Sequence, residues 1–427
     1  MLQTIRNAWK IEELRKKILF TLFIILLYRV GNSIPVPYVN VSLLGQYFKS
    51  FESTVLGLYN VMSGGAFSQA TIFALSIQPY INASIIIELL CIAIPALERL
   101  AKDEGEEGKK KINTITRYTT VGIALLQGFA YYMLLRNNST DATNALLTET
   151  GVWQAIVIIV TFTAGSALVM WMGEQITEFG IGNGISMILF ASIISRFPSG
   201  IITSVQNIGN GSLKWWAYTL MLLGALVLIV LIVVVTNAER RIPVQYSRRV
   251  VGRKQYGGQA THLPLKVNMS GVLPVIFAQS IASLPATIAA FAGKTLTWFD
   301  TTSLLYALVY FLLIIFFSYF YSSIQFNPVE VANNLKNNGG FIPGYRPGKP
   351  TSEFIAKVLN KITLFGAIYL SIIAVTPYLI SHWSNIARTS GVSLGGTSII
   401  IVVRVALETV RVLESEMLMR HYKGFLE

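Results

Sequence analysis

The sequence predicts an all-α polytopic membrane protein, with ten transmembrane helices in two pseudo-symmetric inverted five-helix halves and a plug half-helix before the second span. Three observations predict it. The 427 residues are 53% hydrophobic and 13% charged, with a mean hydropathy of +0.56, too apolar for a surface that must face water. Apolar runs long enough to cross about 30 Å of hydrocarbon recur along the whole chain. Runs interrupted by proline and polar residues hold the second place in each set of five, the pattern of an inverted repeat with its pathway between corresponding broken helices.

A short N-terminal segment, 1–17, precedes the first half, 18–203, whose spans lie near 18–35, 72–94, 115–135, 152–172 and 183–203. The second half, 204–413, has spans near 215–236, 271–291, 303–324, 355–380 and 396–413, and a tail, 414–427, follows. Span 1 runs into Arg29-Val-Gly-Asn-Ser-Ile-Pro35 without the small-residue site of a cleavable leader, so it is expected to stay. Arg29, inside it, must snorkel or meet a polar partner.

Before span 2, the glycine-rich stretch from Leu56 to Phe67 is too short to span and too apolar to float. It is expected to form a half-helix within a segment of about 55–70, folded back so that it blocks a pore. Gln78, Pro79 and Asn82 interrupt span 2, and Pro274, Gln279, Ser280, Ser283 and Pro285 interrupt span 7. The pathway is expected between these two spans. Its wall, including Ile77, Ile81, Ile185, Leu189 and Ile276, is aliphatic, as in a constriction that gates by excluding water.

An even number of spans puts both termini on one side. Most of the 34 lysines and arginines fall in the N-terminal segment, the tail, loop 2/3, loop 6/7 (about 237–270) and loop 8/9 (about 325–355). The positive-inside rule places these parts in the cytoplasm. Loop 8/9 carries Gly339-Gly-Phe-Ile-Pro-Gly-Tyr-Arg-Pro-Gly348, whose two prolines fix φ and remove donors while its glycines permit left-handed turns. It reads as ordered turns, neither helix nor ladder strand, presenting Arg346. Arg404, Glu408 and Arg411 on span 10 are spaced for a local ion-pair set.

No enzyme chemistry is legible. Gly391-Val-Ser-Leu-Gly395 matches a nucleophile elbow in letters, but it falls in a short extracytoplasmic loop without a triad acid. Gly344-Tyr-Arg-Pro-Gly-Lys-Pro350 has one residue too few between its glycines for a phosphate loop, and proline stands where Ser or Thr would hold magnesium. Gly180-Ile-Gly-Asn-Gly184 lacks the dinucleotide spacing. His262, His382 and His421 lie far apart, so neither a catalytic group, a cofactor nor a metal site is expected. Cys91, in an apolar run, reads as a buried structural thiol.

Four motifs in order along the chain carry a resemblance: Ser63-Gly-Gly-Ala-Phe67, Gly173-Glu-Gln-Ile-Thr-Glu-Phe-Gly-Ile-Gly-Asn-Gly-Ile-Ser186, Thr261-His-Leu-Pro-Leu-Lys-Val-Asn-Met-Ser-Gly271 and the Gly339 to Gly348 loop. Over essentially its whole length the chain resembles the SecY family, the central subunits of bacterial protein-conducting channels. The resemblance implies two halves that open like a clamshell and pass unfolded signal-bearing preproteins across the bacterial plasma membrane. It implies lateral release into the lipid bilayer between spans 2 and 7. A pore ring would then fall at Ile77, Ile81, Ile185, Leu189, Ile276 and Ile401, with leucine at 189 where isoleucine is frequent. A plug would run through Gly57, Leu58, Tyr59, Asn60, Val61, Met62, Ser63, Gly64, Gly65, Ala66 and Phe67. Gate positions would be Asn82, Gln127 and Gln279. Arg253, Lys254 and Arg346 would dock the motor ATPase SecA or the ribosome, whose carboxylates or phosphates suit an arginine fork. SecE and SecG are the implied subunits. The alternative architecture is an inverted-repeat secondary solute transporter, which needs a charged or coordinating midplane site.

Overall fold

The computed structural model describes residues 2–49, 55–102, 105–138, 145–211, 214–246, 249–251, 254–256, 261–269, 271–291, 303–383 and 396–423. Along the chain come α1 (Leu2–Lys10), α2 (Glu12–Gly31), α3 (Val41–Lys49), α4 (Val55–Met62), α5 (Gln78–Ala93), α6 (Pro95–Lys102), α7 (Gly105–Asn137), α8 (Val152–Phe179), α9 (Gly184–Ile194) and α10 (Phe197–Gly209). Then follow α11 (Trp215–Asn237), α12 (Leu273–Phe291), α13 (Leu304–Gln325), α14 (Pro328–Asn337), α15 (Lys349–Trp383) and α16 (Gly396–Lys423).

Among the described residues, six helical stretches are long and apolar enough to cross a membrane: 105–137, 152–179, 184–209, 215–237, 304–337 and 349–380. Joining α5 to α6, which bend by 107° at Ile94-Pro95, makes a seventh. The ten expected spans are thus not all self-sufficient by length and composition. Charges explain this for α2 and α16, which carry Glu12, Glu13, Arg15 to Lys17 and Arg404 to Arg411 within the helix. Helix α12 contributes the apolar stretch Leu273–Ala289, which contains Pro285.

The most apolar span, α11, exposes Leu220, Leu223, Leu226, Val230 and Val234, a face that only hydrocarbon would solvate. Helix α15 is buried more extensively and packs along α13. The termini meet: α1 packs against α16, Thr4 donates to Glu414 Oε1 at 3.2 Å, and Lys17 pairs with Glu416 at 2.7 Å.

The chain is not purely helical. Loop 6/7 contains β1 (Glu239–Tyr246), β2 (Arg249–Val251), β3 (Lys254–Tyr256) and β4 (Thr261–Lys266), and loop 8/9 supplies β5 (Gly340–Phe341). The order β4-β1-β5 is antiparallel, with Ile242 opposite Leu263 and Gln245 opposite Phe341. This corrects the expectation that residues 339–348 contain no ladder strand. Alternation buries Ile242 and Val244 on one face of β1, where Leu265, Ile342 and Ile355 complete a small separate core. Loop 8/9 is therefore anchored to loop 6/7 by Ile342 as well as by the ladder.

The spacing-based ion-pair set on span 10 is not formed. Among the described residues no ion pair within 4.0 Å joins Arg404, Glu408 and Arg411. Arg411 instead donates to Asn237 Oδ1 at 2.5 Å, tying α16 to the end of α11.

Candidate functional site

Pro79 does not break span 2. It lies in the first turn of α5, where its missing N–H has no helical acceptor to serve, and the helix begins there after turns through 71–77. Ile77 is the residue before the helix and Ile81 lies one turn inside it. Helix α9 begins at the Gly-Asn-Gly turn, where Asn183 Oδ1 accepts from the backbone of Ile185 (3.0 Å) and Ser186 (3.2 Å). That cap fixes the phase of Ile185 and Leu189, four residues apart on one face. Gly184 also permits the α8–α9 approach: a Cβ there would stand 2.0 Å from Gly173 O.

Ile77, Ile81, Leu189, Ile276 and Ile401 are all buried members of one apolar cluster, with partly buried Ile185 packed against it. Four helices, or their leading turns, contribute: α5, α9, α12 and α16. All six residues of the expected ring thus belong to, or pack against, one large apolar cluster.

Helix α4 is shorter than the predicted plug segment and ends at Met62. Beyond it, Ser63 Oγ accepts from Phe67 N (3.0 Å) and donates to Asn60 O (3.2 Å), while Asn60 Oδ1 accepts from Ser68 N (3.0 Å). Gly64 turns with φ of +68°, and a Cβ there would stand 3.0 Å from both Ser192 O and Ser195 Oγ. Arg29, the in-span cation, finds its polar partner at this point by donating to Ser195 Oγ at 2.9 Å. Phe67 stacks on Tyr131 at 4.5 Å, and the Tyr131 hydroxyl donates to Phe67 O at 2.6 Å. The side chain of Leu58 lies outside the described residues.

Met62 joins three elements. Its thioether accepts from Gln78 Nε2 at 2.8 Å and from Gln279 Nε2 at 3.6 Å, linking α4 to α5 and α12. Sequence reading placed Met62 in the plug and Gln279 at the gate but missed this shared acceptor, which has no local spacing signal. Met62→Ala should cost about 2–5 kcal/mol, from the lost side chain and two buried amides left short of an acceptor. The check is the unfolding midpoint of the purified chain in detergent, with Met62→Leu falling by much less.

Asn82 on α5 and Gln127 on α7 are half-buried, and the Gln127 and Gln279 amide oxygens are buried without hydrogen-bond partners. Nearby, a groove of about 810 Å³ separates α5–α7 from α13–α14, lined by Tyr80, Glu88, Ile112, Thr116 and Ile324. Cys91 also lines it and is partly exposed, which corrects its reading as a buried thiol.

Arg346 is exposed at the tip of loop 8/9, and its carbonyl accepts from Thr351 Oγ1 at 2.8 Å. Lys254 lies in β3, paired with Val251 of β2. Arg253 lies outside the described residues. Among the described residues, no three His, Cys, Asp or Glu side chains gather as a metal site.

The SecY family model matches residues 71–410. Protein translocase subunit SecY of Streptomyces scabiei is 44% identical over the full length of both chains, and that of Aquifex aeolicus is 39% identical with the same coverage. Among solved structures, a protein-conducting channel superimposes with a TM-score of 0.65 at 16% identity, covering 94% of this chain and 92% of that one. Sec61 from the canine ribosome–channel complex gives 0.61 at 14% identity with the same coverage. The structural matches show the shared fold, and the end-to-end sequence matches show descent: the chain belongs to the SecY family.

Proposed function

We propose that this chain is the pore-forming subunit of a protein-conducting channel in a bacterial plasma membrane. It passes unfolded preproteins between two five-span halves and releases apolar segments sideways between α5 and α12. The observation that carries the reading is one apolar cluster to which four helices contribute these six aliphatic residues, beside a segment whose Met62 touches both gate helices. An apolar ring fits around an extended backbone while excluding water. The meeting of α1 with α16 supports an even span count, and basic loops 2/3, 6/7 and 8/9 support a cytoplasmic assignment for both termini. SecE, SecG, SecA and the ribosome are the proposed partners, with Arg253, Lys254 and Arg346 as the docking charges. No covalent chemistry is required of this chain, and the driving force comes from a partner. The solute-carrier alternative gains no support from the relatives named above.

The test is ATP-dependent import of a preprotein into vesicles holding this chain, its small subunits and SecA. Gln78 and Gln279 both reach Met62, so cysteines at these positions, in a Cys91→Ser background, lie within reach of a cleavable thiol crosslinker. Bridging should stop import and cleavage should restore it. Full import with the bridge intact would remove the gate from the mechanism, and small-solute uptake without preprotein import would sink the channel reading.

A further inference from the structure

Arg404 lies three residues beyond Ile401 and four before Glu408, so the three share one side of α16. That side runs from buried Ile401 to exposed Glu408, out of the apolar cluster. The guanidinium rests on Gly271, where φ is +77° and a Cβ would stand 2.5 Å from Nη2. Gly271 leads into α12, so the arginine faces the positive end of that helix, where a cation is disfavoured. Its Nη1 is buried without a hydrogen-bond partner, and no ion pair reaches Glu408. Arginine preceding glutamate is also the weaker order for an i,i+4 pair. With Nη1 unpaired and Glu408, one turn further along the same side, beyond ion-pair distance, the guanidinium keeps capacity for a passing anionic group beside the apolar cluster.

We propose that Arg404 is a charge-selecting residue on the path of the translocating chain: its guanidinium favours acidic segments and retards basic ones as they approach the apolar ring. The inference rests on the reading of this chain as a protein-conducting pore. At an approach of a few ångströms in partly wet surroundings, one charge changes the passage rate on the order of three- to tenfold.

The test compares one preprotein carrying either an aspartate tract or a lysine tract, imported into vesicles without a membrane potential. Arg404→Gln should lower the ratio of aspartate-tract to lysine-tract rates by about three- to tenfold. Arg404→Lys should keep the ratio, and Glu408→Gln should raise it. A ratio unchanged in Arg404→Gln overturns the proposal, including the case in which both substrates slow equally through lost packing. Wild-type vesicles that import no preprotein sink the channel reading and this one with it; import with an unchanged ratio sinks this one alone.

Discussion

Arg346→Glu is expected to slow SecA-driven preprotein import by about tenfold or more, which needs only about 1.4 kcal/mol of lost docking energy. Close charge pairs at a tight protein interface can couple by about 1.5–7 kcal/mol, and reversal adds repulsion to the loss. The folded channel should be unaffected. Arg346 is exposed and takes part in no ion pair among the described residues. The loop around it is held by other means: the β1–β5 ladder, buried Ile342 and the Tyr345–Phe354 stack at 4.2 Å. Arg346→Lys, which keeps the charge and loses the planar fork, should fall between wild type and Arg346→Glu. Import rate is measured against channel content and unfolding midpoint in the same membranes. Unchanged import by Arg346→Glu would remove the docking role.

The same loop shows what was legible in the sequence. Its glycines and prolines announced turns, but β5 is two residues long and pairs with β1 almost a hundred residues away. No local pattern encodes such a partner. In loop 6/7, Pro243 and Pro264 both sit in the β1–β4 ladder, opposite His262 and Arg241, although proline is ordinarily kept out of central strands.

Helical stretches were easier to read, because apolar length is a property of contiguous residues: the span expected from 183 begins as α9 at Gly184. Pro79 was read as a break when it is a beginning; proline carries the same letter in both settings, and only the preceding turns distinguish them. On span 10, helical spacing suggested ion pairs, but Asn237 from α11 captures Arg411. The apolar packing of the expected wall residues was legible because apolarity survives in any packing arrangement. Met62 was recoverable only as part of a segment, since its donors come from α5 and α12.

Ile81→Asn and Ile276→Asn are expected to raise ion leak through the resting channel by about tenfold or more each. Both isoleucines are buried in the apolar cluster, one on α5 and one on α12. Burying such a side chain is worth about 1.5–3 kcal/mol, and an amide replaces an apolar wall with one that hydrogen-bonds water. Each 1.36 kcal/mol removed from a barrier to hydration and ion entry is worth about tenfold in rate. Destabilisation alone would also loosen the channel, so the control must sit on the same helix. Ile86 on α5 is exposed to the surroundings rather than packed in the cluster. Ile86→Asn should leave conductance near the wild-type level, and Ile81→Leu, which conserves volume and apolarity, should leak only slightly. Single-channel or vesicle ion-flux measurements without SecA read these differences directly. If Ile81→Asn leaks no more than Ile86→Asn, the seal is not made by this face of α5, and the plug segment around Met62 must carry it instead.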